Sequence, residues 1–209
     1  MNTIKKISLS LLSILAFHGA YAQYTFKDPS GFKLKNGMNV IISENSHSPK
    51  AYSSFTLDEA SFENRKDGVV ELLNVVINEN VGQNANIRFN DNSGQLAVAP
   101  ADFDKELTAM ANVIKHLNID QKTFDLAKSK LMASLKAMDY DYDSSVNENS
   151  ISALSLADVQ DFYNQITPAK TFITIAGNVN TAEARVSAKK AFGEWAVNAP
   201  AASSEVVAK

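Results

Sequence analysis

Histidine is the side chain that most readily binds zinc or moves protons near neutral pH. This 209-residue chain has three, His18, His47 and His116, and no cysteine. The absence of cysteine excludes disulfides, Cys-ligated zinc, iron–sulfur clusters, thiol nucleophiles and a lipidated N-terminal Cys. No two of the histidines stand one helical turn apart, so none forms half of a two-histidine ligand face. His47 sits in a polar stretch beside Pro49 and reads as solvated. His116, near the end of an amphipathic segment, is placed to complement a helix C-terminal dipole. The carboxylates of Asp139, Asp141 and Asp143 alternate, as ligands for a hard cation can. They lack the glycine and the closing glutamate of a calcium loop, so they read as a solvated acidic loop. From these residues no catalytic set, no metal ligand set and no cofactor is expected.

The first 22 residues read as an address. Lys5 and Lys6 form a basic head, Ile7 to Phe17 an apolar run, and Ala20-Tyr21-Ala22 a small-residue cleavage site. The run is short for a bilayer span. Residues 1–22 are therefore expected to be a signal peptide and the product to be periplasmic or secreted, with no membrane attachment after cleavage. Cleavage would also remove His18. Formal net charge is −3, which gives no global basic field and argues against a nucleic-acid partner. The Ala/Ser/Pro-rich residues 198–209 read as a flexible tail, leaving 23–197 as one domain.

Within that domain the patterning predicts an order of elements. Residues 23–35 read as an extended entry segment, and Asn36-Gly37 as a hairpin turn. Two strands follow, around Val40-Ile41-Ile42 and over Ala51 to Leu57 with Ala51, Ser53, Phe55 and Leu57 on one face. Gly68 opens a helix to about Asn80, its broad apolar face carrying Val69, Leu72, Leu73, Val76 and Ile77 and widened by Val70 and Val75. A hairpin with a polar tip comes next, Ile87 and Phe89 alternating before Asp91 to Gly94. Two amphipathic helices follow, one after Pro100 to Asp102 and one capped by Asp120. Asp139 to Ser150 reads as a loop. Ser155 with Asp158 is a capping box for a helix ended by Pro168. Thr171 to Ala176 is a strand, and Thr181 caps a last helix to Trp195. Helices gathered on one face of a largely antiparallel sheet make an α+β layer.

This order, with several phrases, resembles one half of the pitrilysin, insulinase and mitochondrial-processing-peptidase family of inverzincin metallopeptidases. The phrases are Leu34-Lys35-Asn36-Gly37-Met38-Asn39-Val40, Asp58-Glu59-Ala60-Ser61, Ile151 to Val159, and Phe172 to Asn178 followed by Ala182 to Trp195. The family's zinc motif is H-x-x-E-H on the helix after the second strand, with a distal Glu as third ligand. Aligned on Gly68, the five motif positions hold Glu71-Leu72-Leu73-Asn74-Val75, and the third ligand position falls near Ser134. Val75 has no lone pair, Asn74 is no proton acceptor of useful basicity, and Ser134 is a poor zinc ligand.

The resemblance therefore implies the fold without the chemistry. It also implies a peptide site: substrate in the family adds as a strand beside an N-A-x-T-like segment, a place held here by Asn84, Ala85, Asn86 and Ile87, and strand addition needs only backbone groups. Three functions stay open. The first is an exported, catalytically inactive relative acting as a partner subunit or peptide-binding module. Its partners would be a catalytic subunit of the family, a second copy, or an extended peptide. The second is an active half completed by a partner chain. The third is a periplasmic structural or adaptor domain unrelated to proteolysis.

Overall fold

The structure is a computed structural model describing residues 28–62, 64–138 and 140–196. The expected signal peptide, the expected tail and Asp139 lie outside the described residues. Among those described, six strands form one sheet: β1 (Ser30–Lys33), β2 (Asn39–Glu44), β3 (Ala51–Leu57), β4 (Ile87–Asn90), β5 (Ser93–Val98) and β6 (Thr171–Gly177). Their spatial order is β1-β2-β6-β3-β5-β4. Every neighbouring pair is antiparallel except β2 and β6, which run parallel with Val40 opposite Ile173 and Ile42 opposite Ile175.

Period-two patterning fixes which face is dry. Val40, Ile42, Phe55, Leu96, Ile173 and Ile175 point to one face and are buried. The helices cover that face: α1 (Val69–Val81), α2 (Phe103–Lys115), α3 (Gln121–Ala137), α4 (Glu148–Ala153), α5 (Leu156–Gln165) and α6 (Thr181–Phe192). α1 packs against α3, α5 and strand β4, and α2 against α6. Of the apolar face expected for α1, Val69, Val70, Leu72, Leu73, Val76 and Ile77 are buried, and Val75 is half-buried at its edge. Burying one such side chain contributes about 1.5–3 kcal/mol.

Local chemistry explains most boundaries. The Asn36-Gly37 turn joins β1 to β2, with Gly37 at φ +95° and the Gly37 amide donating to Leu34 O at 3.0 Å. Asn36 also pins this first hairpin to the end of α6, its Nδ2 donating to Phe192 O at 2.7 Å and Trp195 O at 3.1 Å. Gly68, at φ +80°, starts α1, and a Cβ there would collide with Ile151 Cδ1. Asp120 caps α3 by accepting from the Thr123 amide at 2.8 Å. Ser155 and Asp158 form the expected capping box on α5. Lys66 Nζ reaches Asp158 at 2.6 Å. That hydrogen bond, with those from Ser155, lowers the Asp158 pKa to about 2.

Four sequence expectations need correction. The entry segment contains a true strand, β1, because the Asn36-Gly37 turn folds it back on β2. The loop 139–150 ends in a short helix, α4, made possible by an Asn147–Ser150 capping box that composition obscured. The helix after Ser155 stops at Gln165, before Pro168, which begins a 3-10 turn instead. The cap of α6 is Asn180, whose Oδ1 accepts from the amides of Ala182 and Glu183. Thr181 is the first helical residue, and its hydroxyl donates to Glu44 Oε2 at 2.9 Å.

Two outcomes follow from this packing. Gly94 lies under the Phe89 ring, with which a Cβ would collide; Gly94→Ala is expected to cost about 1–3 kcal/mol in denaturant unfolding, with the fold retained. The depressed Asp158 pKa means its ionised form stabilises the native state above the ordinary aspartate range. That stabilisation is lost as pH falls from about 4 through about 2. Asp158→Asn should flatten this part of the acid-stability profile and lower stability at neutral pH by about 1 kcal/mol, the usual cost of losing a cap.

Candidate functional site

The positions that correspond to the zinc motif lie on α1, on the side that faces β4 and α3. Glu71, Asn74, Val75 and Asn78 from α1 meet Arg88, Phe89, Asn90 and Asp91 from the β4 hairpin, Leu131 from α3, and Tyr140 and Tyr142 from the loop beyond it. Together they line a half-open pocket of about 100 Å³. The sequence thus brings to one place the segments an active half would need. The side chains delivered there are already committed to each other.

Asn74, at the position of the general base, is buried and donates through Nδ2 to Asp91 O at 2.7 Å. Val75 packs on the hydrophobic core. Ser134, at the third ligand position, shares a hydrogen bond of 2.8 Å with the Tyr142 hydroxyl. Tyr142 leans on Tyr140 with ring centroids 4.8 Å apart, and the Tyr140 hydroxyl donates to Asp91 Oδ1 at 2.7 Å. That bond to a carboxylate raises the Tyr140 pKa. Glu71 is half-buried, and desolvation raises its pKa, opposed by its own backbone amide and by Arg65 and reinforced by Asp91 and Asp143.

A zinc ion does not fit this donor set. It needs several convergent lone pairs, and the four positions supply one carboxylate, one amide and one hydroxyl already engaged, and an aliphatic group. No cluster of three or more His, Asp or Glu with metal-binding geometry occurs among the described residues. His47 lies in the loop after β2, where its amide donates to Asn45 Oδ1 at 3.1 Å. His116 ends α2, its amide donating to Asn112 O at 3.0 Å. Asp143 accepts from the Ser145 amide at 2.9 Å, which lowers its pKa.

The expected peptide-site residues fall at the mouth of β4. Asn84, Ala85 and Asn86 form the turn that leads into the strand, and Ile87 is its first residue. Asn84 Oδ1 accepts from the Asn86 amide at 3.1 Å, and its Nδ2 donates to Glu106 Oε2 at 2.7 Å on α2. Ile87 is buried. β4 is an outermost strand of the sheet. Sequence reading missed Asn78: its Nδ2 donates to Phe89 O at 2.8 Å and its Oδ1 accepts from the Phe89 amide at 2.8 Å. Its place one turn beyond Asn74, on the polar edge of an otherwise apolar helix, was the available signal.

No protein-family model and no curated protein sequence matches the chain. Solved structures do resemble it. An M16-like peptidase from Alicyclobacillus acidocaldarius superposes with a TM-score of 0.70 at 11% identity, over 85% of this chain and 52% of that one. The periplasmic protease PqqL from Escherichia coli gives 0.69 at 10% identity, over 83% of this chain and 25% of that one. A peptidase M16 inactive domain from Pseudomonas fluorescens gives 0.64 at 16% identity, over 84% and 52%. The chain spans about half the length of the first and third and a quarter of the second. These likenesses establish the architecture that the sequence phrases implied: the described domain has the fold of one half of a pitrilysin-type, M16 peptidase.

Proposed function

We propose that this chain is an exported, catalytically inactive half of the pitrilysin type that works as a partner subunit, pairing with a catalytic half or with a second copy. The observation that carries the reading is the chemistry at the four motif positions. Glu71, Asn74, Val75 and Ser134 offer no zinc site and no general base, and Asn74 and Ser134 hold structural hydrogen bonds instead. Water activation by this half alone has no residue to perform it.

Three further points support the reading. The fold is retained over the whole described domain although the catalytic residues are replaced, as expected where a surface, rather than a reaction, is used. One structural neighbour is described as an inactive M16 domain, and the neighbours of roughly double length contain more than one such unit's worth of chain. The basic, apolar and small-residue start of the sequence supports export, as does likeness to a periplasmic protease. No helix among the described residues is long and apolar enough to cross a membrane.

Peptide binding beside Asn84, Ala85, Asn86 and Ile87 is a second activity of the same proposed module, favoured by the outermost position of β4. Strand addition there would draw on main-chain groups and would survive the loss of the zinc motif.

The purified mature chain should contain substoichiometric zinc by elemental analysis and should leave fluorogenic peptides uncut with or without added zinc. Sedimentation and co-purification should show it paired with itself or with an intact H-x-x-E-H half from the same source. Chelator-sensitive hydrolysis by the isolated chain would overturn the inactive reading. A monomer that pairs with neither would overturn the partner reading and leave the adaptor alternative.

A further inference from the structure

The outer edge of β4 is where the module proposed above would take an extended peptide, and part of that edge has an occupant. In an antiparallel pair, alternate residues of an outer strand turn both backbone groups away from their neighbour. In β4, Asn90 pairs with Ser93 across the hairpin and Phe89 lies opposite Gly94. Both backbone groups of Phe89 go to one side chain: the amide donates to Asn78 Oδ1 and the carbonyl accepts from Asn78 Nδ2, each at 2.8 Å. A carboxamide presents one acceptor and one donor side by side, which is what an added strand presents at each paired residue. One turn earlier on α1, Asn74 Nδ2 takes Asp91 O just past the end of β4 at 2.7 Å.

We propose that Asn78 is a latch: it stands in for an added strand at Phe89 and closes the β4 edge, so an extended chain can pair there only after the carboxamide leaves. The latch is held from both sides. Asn78 sits on α1, whose apolar face is interior. Phe89 is buried, and its ring is locked over Gly94. The two partners therefore separate only by rotation of the Asn78 side chain together with a shift of α1, which packs beside β4. The edge is shut at rest and is openable by a competing chain that supplies the same donor and acceptor. The opposite edge, β1, carries a different protection. It is only four residues long, and Arg185 stacks 4.5 Å from the Phe32 ring while bonding Ser30 Oγ at 2.7 Å.

The inference rests on the peptide-edge reading only for its ligand; the latch is tested separately. Amide hydrogen exchange of Phe89 should be protected in the native chain and should accelerate about tenfold or more in Asn78→Ala, with β3 and β6 amides unchanged. Asn78→Asp, which keeps the acceptor and loses the donor, serves if the alanine variant folds poorly. It should retain protection of the amide while weakening the hairpin. Asn74→Ala should leave Phe89 exchange as it was. A blocked hexapeptide of alternating Thr and Val, followed by amide chemical shifts, should perturb β4 in Asn78→Ala at concentrations that leave the native chain unmoved. If exchange accelerates and no peptide pairs with the variant, the latch stands and the peptide-binding proposal falls. Unchanged Phe89 exchange in Asn78→Ala, or equal peptide pairing at β4 in the native chain and the variant, overturns the latch.

Discussion

The insertion of β6 between β2 and β3 is the constraint on which the rest of the molecule depends. Without it the sheet falls into two pieces, the β1-β2 hairpin and the three strands β3-β5-β4. β6 is paired on both sides, antiparallel to β3 over its whole length and parallel to β2 from Phe172 to Gly177. Its inward residues Ile173 and Ile175 are fully buried. These contacts join residues more than a hundred positions apart in the chain, so the loop-closure cost is met only once the late strand docks. A chain of this kind gains its stability in one cooperative step rather than by adding hairpins in sequence.

The same scaffold positions α1 with little dependence on the side chains at its polar edge. α1 is held by its apolar face against the sheet, and that face has no need of the residues on its polar edge. Substituting those residues costs packing nothing, provided the new side chains find partners. They have done so: Asn74 serves the turn at Asp91, Asn78 serves the strand at Phe89, and Ser134 serves Tyr142. The Tyr140–Tyr142 pair lies over the space between them. At these positions a set of hydrogen bonds stitches a helix, a hairpin and a loop together. Glu71 keeps a carboxylate in that space, and its raised pKa reflects the desolvation that its partial burial imposes.

Much of the fold was legible because it rests on periodicity. The Ala51, Ser53, Phe55, Leu57 alternation placed β3 with the correct face inward, and the α1 stripe named its buried side residue by residue. The capping box at Ser155 and Asp158 was legible because both halves of it are local. β1 was missed because four residues carry too little pattern without the partner that the turn delivers. α6 was capped one residue late because Asn180 and Thr181 are both good caps, and only the distant Glu44 carboxylate decides what Thr181 does. The candidate site divides the same way. The residue types at the motif positions could be read and their inability to hold zinc argued. Their new partners could not be, since Asp91, Phe89 and Tyr142 reach them through tertiary folding.

One contact has a bearing on how this unit connects to anything larger. Asn36 holds the end of α6 from the turn of the first hairpin, and Arg185 holds β1 from the middle of the same helix. The start and the finish of the described domain are thus both brought alongside α6. A tether attached at either terminus would leave from beside that helix. In the language of evolutionary rearrangement, the unit is a bead whose entrance and exit lie along one helix, a form that can be duplicated, spliced between other beads or circularly permuted with little damage to what lies inside.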